Sequence, residues 1–593
     1  MTRNEVLDKV RKKLVELGCS AMIIPTNDPH FGEYTQDYYK TREWLSGFTG
    51  SAGTLAITLG EVALWTDSRY FVQAAKELQG VDIKLMKLKM PYTPTIAQWI
   101  MGQYPQGAKV AIDQSLFSYQ EYQALKKSLS PCTVELIKDP FASIWTNRPP
   151  LHFNLVEYLS VDYSGEKTKT KYNRIGKALN VAGKHFVYVV SACDEVAWLC
   201  NIRGTDIEYN PLPQSYAIVT DGAVHLFVNI DSLSDEAATS LKEQGVELHQ
   251  YTAFEKFLSA IPDHYTRICS PSKITVRDYN ALAIKGAEFM DDPTLGGTIN
   301  HLKSIKNETE MAGFKKAFLV DGVAWCKLLK YIHDNLKKGL NEYEIGEKLI
   351  EFRKQNSEYK GESFEPIVAF GAAAALPHYS ATAQNAQKIG ADNFLLMDTG
   401  AQFLFGTTDT TRTIPIGNLT AEQKRHYTLV LKGMIDLTLA KFPRGTRGSQ
   451  LDVLARGPLF NDGLMFFHGT CHGIGHYLCV HEGPQSVRME ENPVPLAPGM
   501  VISNEPAIYF EGQYGIRTEN GMLIKDWKTT PFNDFYQFET LTLVPIATNC
   551  LQPELLTREE LDWVHDYNKH VYSTLAPHLD KETALFVKEI TES

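Results

Sequence analysis

Short apolar runs alternate with amphipathic helical patterns through the first part of the chain. The opening segment, 1–17, has apolar residues at helical spacing and stops at Gly18, a residue that favours a helix end. A second helical pattern covers 72–78. Four runs have the length and apolar content of strands: 20–25, 53–59, 62–71 and 109–113. Strands and helices in this mixed order predict an αβ domain.

The proline-rich segment 147–154 interrupts this series, because consecutive prolines fix φ and remove backbone donors. A helical pattern at 165–183 and an apolar strand pattern at 185–191 then repeat the order, which suggests a diverged internal repeat. Near residue 305 the pattern changes to a long helix. Since 593 residues exceed what one core of about 250–300 residues accommodates, we predict three domains: 1–153, 154–306 and 307–593.

Composition excludes several functions. The net charge is −11 and the basic residues are scattered among acids, so no basic stripe offers a nucleic-acid surface. No apolar run approaches the roughly 20 residues that cross a membrane, and the first helix lacks the continuous apolar centre of a signal peptide. The nine cysteines include no CxxC pair. We therefore expect a soluble protein of the reducing cytoplasm.

Two aspartates in the segment 392–417 are the first candidates for chemistry. Asp398 follows an apolar run, and Asp409 follows two threonines after a turn that contains Gly406. Eleven residues separate them, an odd number that would put them on opposite faces of one flat strand. A hairpin or bulge must therefore bring them together. Taken singly, each could instead cap a turn, although a buried carboxylate after an apolar run needs a cation or a metal.

Four histidines, His468, His472, His476 and His481, lie in a glycine-rich stretch. Helical spacing would place three of them on one face, but the glycines make this stretch a poor helix. The zinc motif HExxH is absent from the sequence. The histidines therefore indicate a site built on extended backbone in which not every imidazole is a ligand.

Two glutamates complete the set of donors. Glu505 precedes Pro506, which favours an extended backbone at Glu505. Glu519 follows Arg517, and a salt bridge between these two is the simplest alternative. Together, four carboxylates and one imidazole suit Mn²⁺, Zn²⁺, Co²⁺ or Fe²⁺, and their number suffices for two ions about 3.5–4 Å apart. The sequence thus predicts a two-metal hydrolase.

These residues resemble the pita-bread metallopeptidases, and most closely the long, three-domain form of Xaa-Pro aminopeptidase. The order of the five donors is specific to that superfamily. The resemblance implies an α/β (α+β) chain, with two creatinase-like N-terminal αβ domains before a C-terminal pita-bread catalytic domain. The gap of 14 residues between Glu505 and Glu519 contributes to the resemblance. So do seven segments: WLSGFTGSAGT (44–54), LWTDSRYFVQA (64–74), DEVAWLCNIRG (194–204), ALPHYSA (375–381), DTTRT (409–413), HGTCHGIGHYLCVHEGP (468–484) and NEPAIY (504–509).

The resemblance also implies a role for each metal donor. Asp398 would hold one ion, Asp409 and Glu519 would bridge both, and His472 would belong to the second ion together with Glu505. The two ions, manganese with zinc or cobalt as alternatives, would share and activate the attacking water. Glu505 would act as the general base that takes its proton.

Four further residues receive roles from the same resemblance. His481 and His378 would donate to the carbonyl oxygen and the oxyanion. His468 would do the same or shape the proline pocket, and Arg69 would contact the extended part of the peptide. From the residues alone, His378 is a partly exposed loop histidine and Arg69 an exposed structural arginine.

The implied activity is removal of the N-terminal residue from peptides with proline in the second position, by a cytosolic homodimer. Prolidase shares the metal set but cleaves dipeptides, and a peptide-binding pseudoenzyme of the same fold is a more distant alternative because all five donor types are present. Cys471 and His476 depart from the usual family residues, and we expect both to lie near His472. They could alter metal preference or sensitivity to oxidation.

Overall fold

The computed structural model describes residues 2–283 and 286–592. The chain divides into two compact units: unit 1 comprises Met1–Tyr158 and Lys167–Thr298, and unit 2 comprises Leu159–Glu166 and Ile299–Ser593. Among the helices of the described ranges, none combines the length and the apolar content that crossing a bilayer requires.

The first part of unit 1 is a six-stranded sheet with helices packed on it. Its strand order is β4-β3-β2-β1-β5-β6. The run predicted as a strand over 62–71 is shorter than expected, because its strand ends at Thr66 and the chain then turns into a helix that begins at Phe71. The elements are α1 (Arg3–Glu16), β1 (Ala21–Ile24), α2 (Thr41–Ser46), β2 (Thr54–Thr58), β3 (Val62–Thr66), α3 (Phe71–Glu77), β4 (Lys84–Lys87), α4 (Ile96–Gln103), β5 (Lys109–Asp113), α5 (Tyr119–Ser128) and β6 (Thr133–Ile137).

A second six-stranded sheet follows, with strand order β12-β11-β10-β8-β13-β14. Strand β8 is buried along its whole length, as its sequence FVYVV requires of a central strand. The elements are β7 (Glu157–Tyr158), α6 (Val161–Ser164), α7 (Thr168–Leu179), β8 (Phe186–Val190), α8 (Cys193–Cys200), β9 (Ile202–Arg203), β10 (Tyr216–Thr220), β11 (Val224–Val228), α9 (Asp235–Glu243), β12 (Val246–Gln250), α10 (Phe254–Ser259), β13 (Thr266–Cys269), α11 (Val276–Leu282) and β14 (Phe289–Asp291).

The two sheets have the same topology. In each sheet three adjacent strands pair antiparallel in succession: β1, β2 and β3 in the first, and β8, β10 and β11 in the second. One further strand joins in parallel at one edge, β4 or β12. Two more join in parallel at the other edge, β5 and β6 or β13 and β14. This identity of strand order and direction confirms the internal repeat that the sequence suggested.

Unit 2 carries the carboxylates and histidines that the sequence singled out. Its long helix begins at Glu308, behind a capping box formed by Asn307 and Glu310. The elements are α12 (Thr298–Ser304), α13 (Glu308–Asn335), α14 (Glu342–Arg353), β15 (Tyr359–Glu362), β16 (Ile367–Phe370), β17 (Asn393–Thr399), β18 (Ala401–Phe403), β19 (Gly406–Thr407), β20 (Thr410–Ile416), α15 (Ala421–Thr438), β21 (Lys441–Pro443), α16 (Gly448–Phe460), β22 (Cys471–Gly473), β23 (Glu482–Val487), β24 (Val501–Ile502), β25 (Ala507–Phe510), β26 (Tyr514–Arg517), β27 (Met522–Thr529), β28 (Asp534–Thr540), α17 (Arg558–Leu575) and α18 (Lys581–Glu592).

The strands of unit 2 form several small sheets around apolar clusters. The largest has the order β21-β28-β27-β24-β22-β23, and the antiparallel sets β16-β17-β20 and β25-β26 lie in the same unit. Helices α15, α16 and α17 pack with the β25-β26 hairpin around a core that includes Val430, Ile435, Leu459, Ile516 and Val571. Burial of these side chains holds the ends of the strands in place, and those ends carry the polar site.

Candidate metal centre

Strands β17 and β20 bring the two aspartates together. Asp398 lies opposite Thr411 in this antiparallel pair, and Asp409 precedes Thr411 by two residues. Residues two apart on a strand share a face, so the two carboxylates are diagonal neighbours on one side of the pair. The two aspartates therefore lie on the same face although eleven positions separate them, because they belong to two paired strands and not to one. Both side chains are buried.

The β25-β26 hairpin places the two glutamates. Ala507 pairs with Arg517, and continuing that register past the ladder puts Glu505 opposite Glu519. The spacing of fourteen residues is thus the length of a hairpin. Backbone bonds anchor both positions: the Glu505 N–H donates to Thr470 O, and the Glu519 N–H donates to Thr411 O.

His472 lies on strand β22 and faces the carboxylates. Its Nδ1 is 2.9 Å from Gly473 O and donates to it, so Nε2 is the nitrogen that presents a lone pair when the ring is neutral. That Nε2 is 3.3 Å from Asp409 Oδ2 and 3.4 Å from Glu505 Oε1. Gly473 is required here because a Cβ would lie 2.4 Å from Glu482 O. The short strand can therefore approach its neighbour closely enough to aim the imidazole.

The five donors form two overlapping groups of three. Asp398, Asp409 and Glu519 have oxygen atoms within 4.8 Å of one another, and Glu519 also groups with His472 and Glu505. Among the residues the structure describes, Asp398 Oδ1 and Glu519 Oε1 are buried without a hydrogen-bond partner. Buried carboxylate oxygens without donors are unfavourable unless a cation binds them. The donor set, oxygen-rich with one imidazole, fits two divalent ions of the manganese and zinc type.

The pKa values of these groups reflect the excess of negative charge. Burial and the neighbouring carboxylates raise the pKa of Glu505 to about 7, although His472 opposes the shift. Burial and Asp409 raise the pKa of Glu519 well above its usual range. Burial disfavours a charged His472, but Asp409 and Glu505 outweigh it and raise the pKa of His472 to about 9. Without ions, protons partly neutralise the cluster.

A chain of hydrogen bonds leads from the metal donors to His468. Arg517 Nε donates to Asp398 Oδ2 at 3.1 Å, and Arg517 Nη1 donates to Tyr509 Oη at 2.6 Å. His468 Nδ1 lies 2.8 Å from Gly469 O and must donate to it, so Nε2 accepts from Tyr509 at 2.9 Å. Burial and the nearby Arg517 lower the pKa of His468 to about 3. His468 is therefore neutral, with a fixed orientation.

The other predicted site residues lie at different distances from the carboxylates. His481 is exposed and groups with Asp409 and His472, whose ring it meets edge-on with centroids 4.4 Å apart. His378 lies in a half-buried turn after Ala375 and contributes to the electrostatic environment of His468. Arg69 lies in unit 1, where its guanidinium pairs with Asp67 at 2.8 Å. Its contact with a peptide stays a prediction.

Cys471 and His476 have structural surroundings. Cys471 is adjacent to His472 but its side chain packs in an apolar cluster with Val487 and Ile502. His476 is buried and its Nε2 is 2.9 Å from Phe405 O. Cys471 lies near the metal donors, as expected, since burial raises the pKa of its thiol and Glu505 and Glu519 are among the charges that raise it further. The His476 ring is held by Phe405.

Sequence reasoning missed the partners of the carboxylates. Arg517 pairs with Asp398 rather than with Glu519, the neighbour considered from the sequence. Tyr509 and Thr411 were not singled out, yet Thr411 Oγ1 donates to Glu519 Oε2 at 2.7 Å. These partners could have been found from the sequence, because a hydroxyl or guanidinium at an inward-facing position of an otherwise apolar strand indicates a buried polar partner.

Comparison with known proteins agrees with this geometry. The description Creatinase/Prolidase N-terminal domain matches residues 7–142 and again 147–310, and Metallopeptidase family M24 matches 312–526. The C-terminal region of peptidase M24 matches 534–593. The Probable Xaa-Pro aminopeptidase P of Pyricularia oryzae is 39% identical over 95% of this chain and 93% of its own length. This chain belongs to the Xaa-Pro aminopeptidase family.

Further relatives and structures support membership of the Xaa-Pro aminopeptidase family. Xaa-Pro aminopeptidase 1 of Dictyostelium discoideum is 34% identical over 97% of this chain and 93% of its own. The crystal structure of X-prolyl aminopeptidase from Caenorhabditis elegans, described as a cytosolic enzyme with a di-nuclear active site, matches with a TM-score of 0.94 and 32% identity over 100% of this chain and 99% of that one. The family resemblance and the predicted fold class are thereby confirmed.

Proposed function

We propose that this protein is a metal-dependent aminopeptidase that removes the N-terminal residue from peptides with proline in the second position. The observation that carries the proposal is the convergence of five donors, each on or next to a different strand, with two buried oxygens left without protein donors: Asp398, Asp409, His472, Glu505 and Glu519. Full-length similarity to Xaa-Pro aminopeptidases supports the substrate class.

Two divalent ions would be held by these five side chains. We assign Asp398 to one ion, Asp409 and Glu519 to both, and His472 with Glu505 to the other. When bound, the ions supply Lewis acidity toward the scissile carbonyl and toward a water. Manganese suits the four carboxylates best, while zinc and cobalt would also accept the imidazole.

Glu505 is the proposed general base. The side chain of Glu505 is 18% exposed, whereas that of Glu519 is buried and accepts a hydrogen bond from Thr411. Ser503 Oγ donates to Glu505 Oε1 at 3.2 Å, which orients the carboxylate and leaves Oε2 for a proton. Glu505 can therefore take a proton from water and return it to the leaving nitrogen, which is a poor leaving group until it is protonated.

The histidines around the donors have separate proposed tasks. His481 is exposed beside His472, and we assign it, with His378, to donate to the substrate carbonyl oxygen as negative charge develops there. Both nitrogens of His468 are engaged, one by Gly469 and one by Tyr509. A neutral ring held in this way suits the wall of a proline pocket better than proton transfer.

Proline selectivity has a backbone reason. An X-Pro bond has no N–H and a restricted φ, so an enzyme that grips an extended peptide by its hydrogen bonds cannot hold it well. A pocket that recognises the ring shape avoids this requirement. The proposed substrate therefore has a free N-terminal residue, a proline, and further residues beyond it.

The decisive assay compares Gly-Pro-X tripeptides with the dipeptide Gly-Pro and with Gly-Ala-X, on manganese-loaded protein. We expect release of glycine from Gly-Pro-X alone. Cleavage of Gly-Pro with none of Gly-Pro-X would identify a prolidase, and binding of Gly-Pro-X without cleavage would identify a pseudoenzyme. Loading the same protein with zinc or cobalt would rank the metals by turnover.

Organisation and location complete the proposal. We propose domains at 1–153, 154–306 and 307–593, a homodimer, and residence in the cytosol. The cytosolic assignment is supported by the cysteines, none of which forms a disulfide within the residues the structure covers, and by the description of the Caenorhabditis elegans relative. Light scattering of the purified protein tests the dimer, which predicts twice the chain mass of 66.7 kDa.

A further inference from the structure

A second group of nitrogen and oxygen donors lies on the second sheet of unit 1. His225 is on strand β11, and Glu247 and His249 are on β12, which is an edge strand of that sheet. The two strands are parallel, with His225 opposite Glu247 and Phe227 opposite His249. Because side chains alternate along a strand, all three donors share one face of the sheet.

The distances between the donor atoms fit one transition-metal ion. His225 Nδ1 is 3.2 Å from His249 Nε2 and 3.1 Å from Glu247 Oε2, and His249 Nε2 is 4.0 Å from the same oxygen. Ligand atoms of a tetrahedral zinc ion with bonds of about 2.0 Å lie about 3.3 Å apart. Two of the three separations match this spacing, and the third, between His249 and Glu247, closes with a small rotation of the exposed Glu247 side chain.

Thr220 supports the His225 ring on the side away from the other two donors. Its Oγ1 lies 3.4 Å from His225 Nε2 and also accepts from the backbone N–H groups of Gly222 and Ala223. His225 Nδ1 faces His249 Nε2 and Glu247 Oε2. When Nε2 carries the proton and donates to Thr220, Nδ1 presents the lone pair that a metal ion needs, and a partner on the second nitrogen orients such a ligand.

Aromatic rings hold the two imidazoles in place. His249 stacks on Phe227 with ring centroids 4.9 Å apart, and His225 lies 5.0 Å from Phe257. The side chains of His225 and His249 are 13% and 28% exposed, while Glu247 is 59% exposed. The donors are rigid on the protein side and open on the solvent side.

We propose that His225, Glu247 and His249 bind one Zn²⁺ ion, with a water or an external ligand in the fourth position. This ion would join the edge strand β12 to β11 and would be separate from the ions of the catalytic centre. Two imidazoles and one carboxylate are a common zinc ligand set. The role we assign is stabilisation of the edge of the sheet, since the donors come from two neighbouring strands.

The test uses the full chain carrying Asp409→Asn and His472→Ala, which removes donors from the proposed catalytic centre. We expect calorimetric titration with Zn²⁺ to show one ion per chain, with binding weakened more than 100-fold by adding His249→Ala. His264→Ala, an exposed histidine of the same sheet region, is the matched control and should not change binding. Equal zinc binding with and without His249, or no binding in either protein, would overturn the proposal.

Two further variants separate a metal site from a hydrogen-bonded histidine pair. Thr220→Val keeps the shape but removes the acceptor for His225 Nε2, and such outer partners change metal affinity about 10–100-fold. Glu247→Gln removes a ligand at an exposed position and should abolish the rise in Tm that zinc causes. If both variants bind zinc and gain Tm as the parent does, the three residues are a hydrogen-bonded cluster only.

Discussion

Unit 2 contains two buried acidic clusters that differ in how their charge is balanced. The carboxylate cluster consists of Asp398, Asp409, Glu505 and Glu519, and the arginine cluster consists of Asp321, Arg353 and Glu362. In the arginine cluster every carboxylate oxygen receives a protein donor: Arg353 donates to both acids, Thr408 donates to Asp321, and Tyr359 donates to Glu362. In the carboxylate cluster, Asp398 Oδ1 and Glu519 Oε1 receive none from the described residues.

The two clusters meet on one strand. Asp398 belongs to the carboxylate cluster, and the next residue of β17, Thr399, accepts from Arg353 Nη2 at 3.0 Å. Burial is similar on both sides, so burial alone does not distinguish a structural acid from a functional one. Arg517 supplies one counter-charge to the carboxylate cluster, through Asp398, but four acids share it. The difference is whether the protein's own donors satisfy every carboxylate oxygen. Acids with an oxygen left without a donor have a place for an ion.

The largest effect we expect is the loss of activity on replacing Glu505 by Gln. Removal of a general base reduces turnover about 10²–10⁴-fold, while the fold has little reason to change because Glu505 accepts few protein bonds. Measurement of kcat on a Gly-Pro-X peptide at saturating manganese checks this. Glu511→Gln, an exposed acid at the tip of the same hairpin, should keep activity within about twofold. A Glu505→Gln enzyme as active as its parent would remove Glu505 from the mechanism.

Substitution in the arginine cluster should lower the free energy of unfolding and should not act directly on catalysis. Arg353→Met leaves Asp321 and Glu362 buried without their cation, a change that costs about 3–5 kcal/mol of folding free energy. The urea midpoint of unfolding measures it. Added manganese should not restore the lost stability, because Asp321 and Glu362 belong to no group of three metal donors among the described residues and two carboxylates alone are an incomplete ligand set. If manganese restored the stability of Arg353→Met, both clusters would bind an ion, and the proposed difference between them would be wrong.

A matched pair of amide substitutions should change stability in opposite directions. Glu362→Gln weakens charged bonds to Arg353 and costs about 1–3 kcal/mol with or without metal. The raised pKa of Glu519 means that it must take up a proton when the ion-free protein folds at neutral pH, and Glu519→Gln removes that cost, so the chelated protein should gain about 1 kcal/mol. With manganese present the Glu519 variant should instead be less stable than its parent, because a bridging ligand is lost. Unfolding midpoints in chelator and in manganese test this reversal of sign.

The sequence predicted the donors of the carboxylate cluster but not the difference between the clusters. The odd spacing of Asp398 and Asp409 is a local property, so it could be interpreted before the strands were seen, whereas the hairpin that places Glu505 opposite Glu519 was found only in the structure. The partner of Arg517 could not, because Asp398 is distant in sequence and the choice between it and Glu519 depends on how the strands pack.

The zinc site proposed in unit 1 escaped the sequence for a related reason. Strands β11 and β12 are parallel, and a helix separates them along the chain, so the register that puts His225 beside Glu247 has no local signal. The repeated order of strands and helices, in contrast, follows from apolar runs and was predictable. What depends on a single element was accessible from the sequence, and what depends on register between elements was not.

A third acidic group, a pair, is intermediate between the fully bonded arginine cluster and the incompletely bonded carboxylate cluster, and it gives the smallest predicted effect. Asp436 on α15 lies beside Glu560, and Lys432 Nζ contacts both oxygens of Glu560, at 2.5 and 2.6 Å, so one cation serves two acids. Burial and Glu560 raise the pKa of Asp436 to about 7. Between pH 4 and 7 the folded protein therefore binds more protons here than the unfolded chain, so stability falls as the pH rises.

Asp436→Asn should remove this dependence. Because Asp436 is only half-buried, we expect the variant to be more stable than its parent by about 1 kcal/mol above pH 7, and the difference to vanish below pH 4. Unfolding midpoints in urea from pH 4 to 8 measure it. Asp462→Asn is the control of opposite sign, since the bond from Arg425 lowers the pKa of Asp462. A constant difference across this range would mean that Lys432 balances both acids, and the pair would then belong with the arginine cluster.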